Sequence, residues 1–233
     1  MHSRMIPVRD SKVRRIHPVV TWTLALLNVG LYLWDRGGNL SSPGTAFADL
    51  ALRPYELTSF LMGHGDPLAL VKVFTSMFLH GNLWHLVGNL LFLCVFGPAV
   101  EEALGGFRYV ALYLLAGVVA AAAHLYVNLG SFAGLTGASG AIGGVLGAYF
   151  VLFPAERIQV WVVIDTVPVA AWLMLSVWFV AQVFLPQPGV ANWAHVGGFV
   201  VGMTWIQVRG GREKVLGLPT RIVTVRDEPA SPE

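Results

Sequence analysis

The sequence predicts an all-α membrane protein: a bundle of six transmembrane helices with a long outer loop after helix 1. Three observations lead there. Hydrophobic residues make up 55% of the 233 residues and charged residues only 12%, about half the ~25% charge of a soluble domain. Six apolar stretches recur, each near the ~17–25 residues that a helix needs to cross a bilayer. Basic residues cluster before the first stretch and after the last.

The composition also excludes other classes. With a mean hydropathy of +0.65, a soluble fold could not cover its surface with polar groups. Disorder needs low hydrophobicity and high net charge. The formal net charge is +2, too balanced for a nucleic-acid partner. Cys94 is the single cysteine, so neither an intrachain disulfide nor a cysteine zinc site is expected.

The stretches cover residues 17–34, 78–96, 107–129, 137–153, 167–185 and 193–208. A backbone in lipid must satisfy its own hydrogen bonds, so helices are expected, and the ~10-residue alternation of a membrane barrel is not seen. Arg4, Arg9, Lys12, Arg14 and Arg15 precede the first span; Arg209, Arg212, Lys214, Arg221 and Arg226 follow the last. Both termini therefore read as cytoplasmic, which requires an even number of spans. Residues 1–16 form the basic N-terminus, 17–208 the membrane domain, and 209–233 a solvated, partly disordered cytoplasmic tail. Ala46-Phe47-Ala48 has the form of a signal cleavage site, but it lies well beyond an apolar run that is too long for a signal peptide. Residues 35–76 lie outside and are apolar enough to fold back onto the membrane face as short helices. No internal repeat suggests an inverted-repeat transporter.

Polar residues inside the spans carry the functional signal. His85 and Asn89 are four apart on the second span and share a helix face. Ser139 opens the fourth span and His195 the sixth. The predicted orientation puts all four in the outer part of the membrane. Gly140 and Gly144, Gly143 and Gly147, and Gly198 and Gly202 are spaced to let helix backbones approach closely. If these ridges meet, Ser139 and His195 meet above them. A serine hydroxyl becomes a good nucleophile when a neighbouring base takes its proton, and neutral histidine serves near pH 7. His85, Asn89 and the free N–H groups at the start of the fourth helix would stabilise an oxyanion. No Asp or Glu lies in the outer half of any span, so the expectation is a Ser–His dyad. His80, Asn82, Thr136 and Asn192 would join these residues in lining a polar pocket open to the outside.

Each residue alone has a blander reading. Ser139 could pack helices, and His85 with Asn89 could be an interhelical pair. His80 reads as structural or pocket-lining, His124 as structural, and Glu101 as a tether for a loop or helix end. Catalysis is favoured because the residues coincide at one depth.

The order of motifs resembles the rhomboid family of intramembrane serine proteases. The pieces are Phe74-Thr75-Ser76-Met77-Phe78-Leu79-His80-Gly81, His85 to Asn89, and Phe96-Gly97-Pro98-Ala99-Val100-Glu101. Gly137-Ala138-Ser139-Gly140-Ala141-Ile142, Phe153-Pro154 and Ala194-His195-Val196-Gly197-Gly198 follow. The resemblance implies cleavage of transmembrane protein substrates in or near their membrane segments. It implies Ser139 as nucleophile, His195 as general base, and His85, Asn89 and the Ser139 amide as oxyanion donors. It implies no metal and no cofactor, with the lipid bilayer and membrane proteins as partners, and a mobile fifth span. Compact loops and the lack of a transit peptide point to a bacterial plasma membrane. Two departures stand out: Leu52-Arg53 replaces a Trp-Arg pair of some members, and Gly143 stands where some members stack an aromatic residue on the base. The alternative is a non-proteolytic rhomboid-like chaperone that binds transmembrane segments. An ion carrier using His80, His85 and His195 is a third reading, weakened by the lack of acidic partners.

Overall fold

A computed structural model describes residues 6–10, 17–40, 47–162 and 165–219. It is mostly helical. Helix α1 (Val19–Asp35) leads to two short helices, α2 (Pro54–Leu61) and α3 (Leu68–Thr75). Two long helices follow, α4 (Leu83–Leu104) and α5 (Gly106–Val127), then α6 (Ser139–Leu152), α7 (Ala171–Phe184), α8 (Asn192–Val208) and the short α9 (Gly211–Leu216). Among the described residues, α4 and α5 are long and apolar enough to cross a membrane.

Helix α6 is the hub. Every residue from Gly140 to Tyr149 is buried, as expected of a helix that is apolar all round. It packs against α4, α5 and α8. The glycine ridges do meet: a Cβ at Gly198 would collide with the carbonyl oxygen of Gly140, one at Gly202 with that of Gly144, and one at Gly147 with that of Phe199. The two helices thus run parallel, backbone against backbone. On the α5 side, a Cβ at Gly140 would come within 2.6 Å of the Ala120 methyl. Short side chains on every contacting face let three helices close around one axis.

Local signals fix the ends of the helices. The second predicted span begins at residue 78, but α4 starts at Leu83, because the Asn82 side chain accepts the backbone N–H of His85 at 2.9 Å. Residues Ser76–Phe78 form a single 3-10 turn. Gly105 at φ +78° separates α4 from α5. Glu101 ties a helix end as expected: its carboxylate accepts the backbone N–H groups of Val20 (2.8 Å) and Thr21 (2.7 Å) and the Thr21 hydroxyl (2.7 Å). An acid there also complements the positive end of α1. Arg36 pairs with Asp35 at 2.8 Å and donates to the backbone carbonyls of His80 and Gly81. That anchors the turn leading into α4.

The expectation of an all-α chain needs correction. Strands β1 (Ile6–Asp10), β2 (Arg157–Val162) and β3 (Asp165–Ala170) form an antiparallel sheet in the order β1-β2-β3. The fifth predicted span starts at residue 167, yet residues up to Ala170 belong to β3 and the helix begins at Ala171. Alternation explains this: Ile158 and Val160 are buried while their neighbours face outward. Pro168 is tolerated because β3 is an edge strand. The expected tail begins with α9, and residues 220–233 lie outside the described residues.

Between α1 and α4, Leu52 bridges to Leu135, and Leu52, Leu57, Ala69, Val73 and Met77 pack with Ala121 of α5. Glu56 links α2 to α3 by a 2.7 Å pair with Lys72 and accepts from Arg53 at 3.0 Å. Burial opposes its ionisation, but the bonds and charges of Lys72 and Arg53 outweigh burial and hold the carboxyl below its usual range. A depressed carboxyl contributes stability that is present above its unfolded value and lost as pH falls through the folded one. Hydrogen exchange in α2 and α3 is therefore expected to quicken on acidification below about pH 4, and Glu56→Gln to flatten that dependence. An unchanged profile in the variant would assign the acid sensitivity elsewhere.

Candidate active site

Helices α4, α6 and α8 all begin at the same end of the bundle, opposite the β2–β3 hairpin. A cleft of about 810 Å³ opens there, lined among others by His85, Asn89, Ser139, Trp178 and His195. At 14 residues, α6 is roughly 21 Å long, against roughly 33 Å for the 22-residue α4. The short helix leaves its first residue recessed.

Ser139 is that first residue. Its Oγ lies 2.8 Å from Nε2 of His195. The two side chains are 56 positions apart in sequence and meet because the Gly140–Gly198 contact sets the register of their helices. Gly137 lies beside them at φ +121°, a conformation that favours glycine. Space excludes a side chain there as well: a Cβ would lie 2.6 Å from the His85 ring and 3.5 Å from Asn89 Nδ2. Asn89 is buried, and its Nδ2 has no hydrogen-bond partner. An unspent amide donor at a cleft wall can bind an oxygen that arrives there.

The other sequence-predicted residues fall into two groups. Asn82 and Thr136 line the cleft, and so does His124. His80 and Asn192 do not: both are buried behind its walls. His80 sits with its ring centroid 5.3 Å from that of His85, so its place is structural support. Asn192 is drawn inward by a side chain that the sequence reading missed, Gln182 of α7. Gln182 Oε1 lies 2.7 Å from His195 Nδ1 and 3.0 Å from Asn192 Nδ2. The signal was available, since an amide inside an otherwise apolar helix seldom lacks a partner. Trp178, one turn earlier on α7, holds its ring centroid 5.9 Å from that of His195 at an interplanar angle of 32°.

Gly143 does not leave the histidine loose. A Cβ there would lie 2.9 Å from the carbonyl oxygen of His195, so a glycine lets α8 approach closely while α7 supplies the aromatic neighbour. Among the described residues, no three His, Cys, Asp or Glu are placed to hold a metal ion.

The model of the rhomboid domain matches residues 67–212, which contain both members of the Ser139–His195 pair. The chain belongs to the rhomboid family. Rhomboid protein 1, mitochondrial, of Saccharomyces cerevisiae is 32% identical over 146 residues, 58% of this chain and 40% of that protein. Rhomboid-type serine protease 2 of Emericella nidulans is 31% identical over 127 residues, 54% of this chain and 24% of its own length. The rhomboid protease AarA of Providencia stuartii is 26% identical over 226 residues, 78% of this chain and 69% of its own. The chain spans about two fifths of the length of the yeast relative and of RHOMBOID-like protein 1 of Arabidopsis thaliana. Rhomboid family proteins act on transmembrane substrates in the bilayer.

Proposed function

We propose that this rhomboid is an intramembrane serine endopeptidase that hydrolyses transmembrane protein substrates in or near their membrane segments. The observation that carries the reading is the 2.8 Å contact between Ser139 Oγ and His195 Nε2 in a recessed, open cleft. Membership of a family in which relatives are named serine proteases supports it.

The chemistry runs through this chain's own groups. His195 Nε2 takes the hydroxyl proton as Ser139 Oγ attacks the scissile carbonyl. The oxyanion accepts from Asn89 Nδ2, the His85 ring and the Ser139 amide, with the N-terminal dipole of α6 behind them. The proton passes to the leaving amine, and water then enters the cleft to release the acyl group with His195 again as base. The protein works as a six-span membrane protein with both termini cytoplasmic, in a bacterial plasma membrane, and with the cleft toward the outer side. The basic termini and the outward-facing Leu26, Leu115, Leu173, Val177 and Val200 support that placement.

Asn89→Ala is expected to lose on the order of 10²-fold in turnover, as for one oxyanion donor. A fully active variant would take Asn89 out of that role. Fluorophosphonate labelling of the purified protein in mild detergent tests the reading as a whole. Labelling of wild type only, beside unlabelled Ser139→Ala, is the expected result. A folded wild type that resists the probe would return the function to binding membrane segments without cutting them.

A further inference from the structure

Helix α7 is the least embedded of the long elements around the cleft. Its buried residues, Ala171, Met174 and Leu175, all lie in its first half. From Ser176 to Phe184 none is buried. What holds that second half against α8 is a small set of contacts: Trp178 beside His195, Phe179 on Phe199 at 4.8 Å between centroids, and Gln182 on His195 and Asn192.

The hydrogen-bond polarity of this set is determined from one end. The backbone N–H of Gln187 can only donate, and it meets Asn192 Oδ1 at 3.4 Å. Asn192 therefore presents Nδ2 to Gln182, at 3.0 Å. Gln182 must answer with its carbonyl oxygen. That oxygen then accepts from His195 Nδ1, at 2.7 Å. With the proton on Nδ1, the lone pair lies on Nε2, which faces the Ser139 hydroxyl.

We infer that Gln182, itself oriented by Asn192, is the positioning residue that fixes the tautomer of His195, and that it does so only while the outer half of α7 is seated against α8. It occupies the place of the third residue of a triad, but as a neutral acceptor from a helix at the rim of the bundle. The inference rests on the Ser139–His195 reading above. Its consequence is specific: displacing α7 to admit a substrate releases the base, and reseating α7 restores it. Opening and chemistry are thereby kept apart.

Gln182→Met and Gln182→Glu, with Asn192→Ala, provide the test. The rate of fluorophosphonate labelling is measured from pH 5.5 to 9, and folding is checked by thermal denaturation. The titratable groups facing His195 across the cleft are His85 from α4 and His124 from α5; α6 and α7 present none there. Wild type supplies the reference profile over this range. Gln182→Met, which keeps the length and removes the acceptor, is expected to lose on the order of 10- to 100-fold, well short of the roughly 10⁴-fold of an enforced wrong tautomer. Gln182→Glu restores an acceptor, so most of the rate returns and the acidic limb moves to higher pH, because a carboxylate stabilises the imidazolium. Asn192→Ala falls between wild type and Gln182→Met.

Equal impairment in Gln182→Met and Gln182→Glu, with no displacement of the pH profile, would reduce Gln182 to a packing residue and overturn the inference. Nitrogen-15 shifts of the histidine rings, with His195 assigned by its loss in His195→Ala, report the tautomer without turnover. An unlabelled wild type would bring down the dyad reading. A His195 tautomer unchanged in Gln182→Met would bring down this one.

Discussion

Replacing Ser139 by alanine is expected to leave no detectable fluorophosphonate adduct and no cleavage above background, with the melting temperature barely changed. The substitution removes one oxygen from a half-buried position at the mouth of a cleft, so no buried volume is lost. What goes is the partner of His195 Nε2. His195→Ala is expected to lose on the order of 10⁴-fold or more, because the serine keeps its proton. It also takes away one of the two donors to Gln182 Oε1, leaving Asn192 Nδ2 as the other, so a modest loss of stability accompanies it. Each variant is compared with wild type in the same detergent, by labelling and by turnover of a single-span membrane protein substrate. Turnover of Ser139→Ala near the wild-type rate would remove the serine from the chemistry.

Lengthening one glycine on the α6–α8 ridge is expected to do nearly as much damage from below the site. A Cβ at Gly198 has no room beside the Gly140 carbonyl, and backbone cannot rotate aside as a side chain can. Gly198→Ala forces the helices apart by something near 1 Å, a misplacement that costs about 10²-fold in a reaction of aligned groups. Gly198→Leu adds overpacking that destabilises by about 1–3 kcal/mol or more and is expected to abolish labelling. Gly30→Ala on α1 is the control, since nothing lies within 4 Å of a Cβ there; it is expected to be neutral or slightly stabilising. A Gly198→Leu protein that melts and labels like wild type would mean that the ridge does not set the dyad distance.

The parts of the fold legible in the sequence are those written as long apolar runs or as glycine spacing. Helices α1, α5, α6 and α8 begin and end within two residues of the stretches that predict them, because burial and length leave them little freedom. The sheet was hidden because its strands fall in the basic N-terminus, in the connection between the fourth and fifth predicted spans and at the start of the fifth, and only the buried alternation of Ile158 and Val160 betrays a strand. Contact between Ser139 and His195 could be argued from glycines one turn below each. Gln182 could not be placed in the same way. Its role depends on the rotation of α7 about its own axis, and its neighbours Val180, Ala181, Val183 and Phe184 carry no period that marks one face.

The backbone-to-backbone contact of α6 with α8 also determines how the dyad would respond to its surroundings. A thinner or thicker bilayer is accommodated by tilting helices, at a modest cost per ångström of mismatch. With the Gly198 and Gly202 positions closed against the carbonyls of Gly140 and Gly144, α6 and α8 can tilt only together, and the Ser139–His195 distance travels with them unchanged. Helix α7, whose outer half holds no fully buried residue, can tilt by itself. Lipid chain length would therefore act on activity through the seating of Gln182, with the nucleophile and base insulated from it.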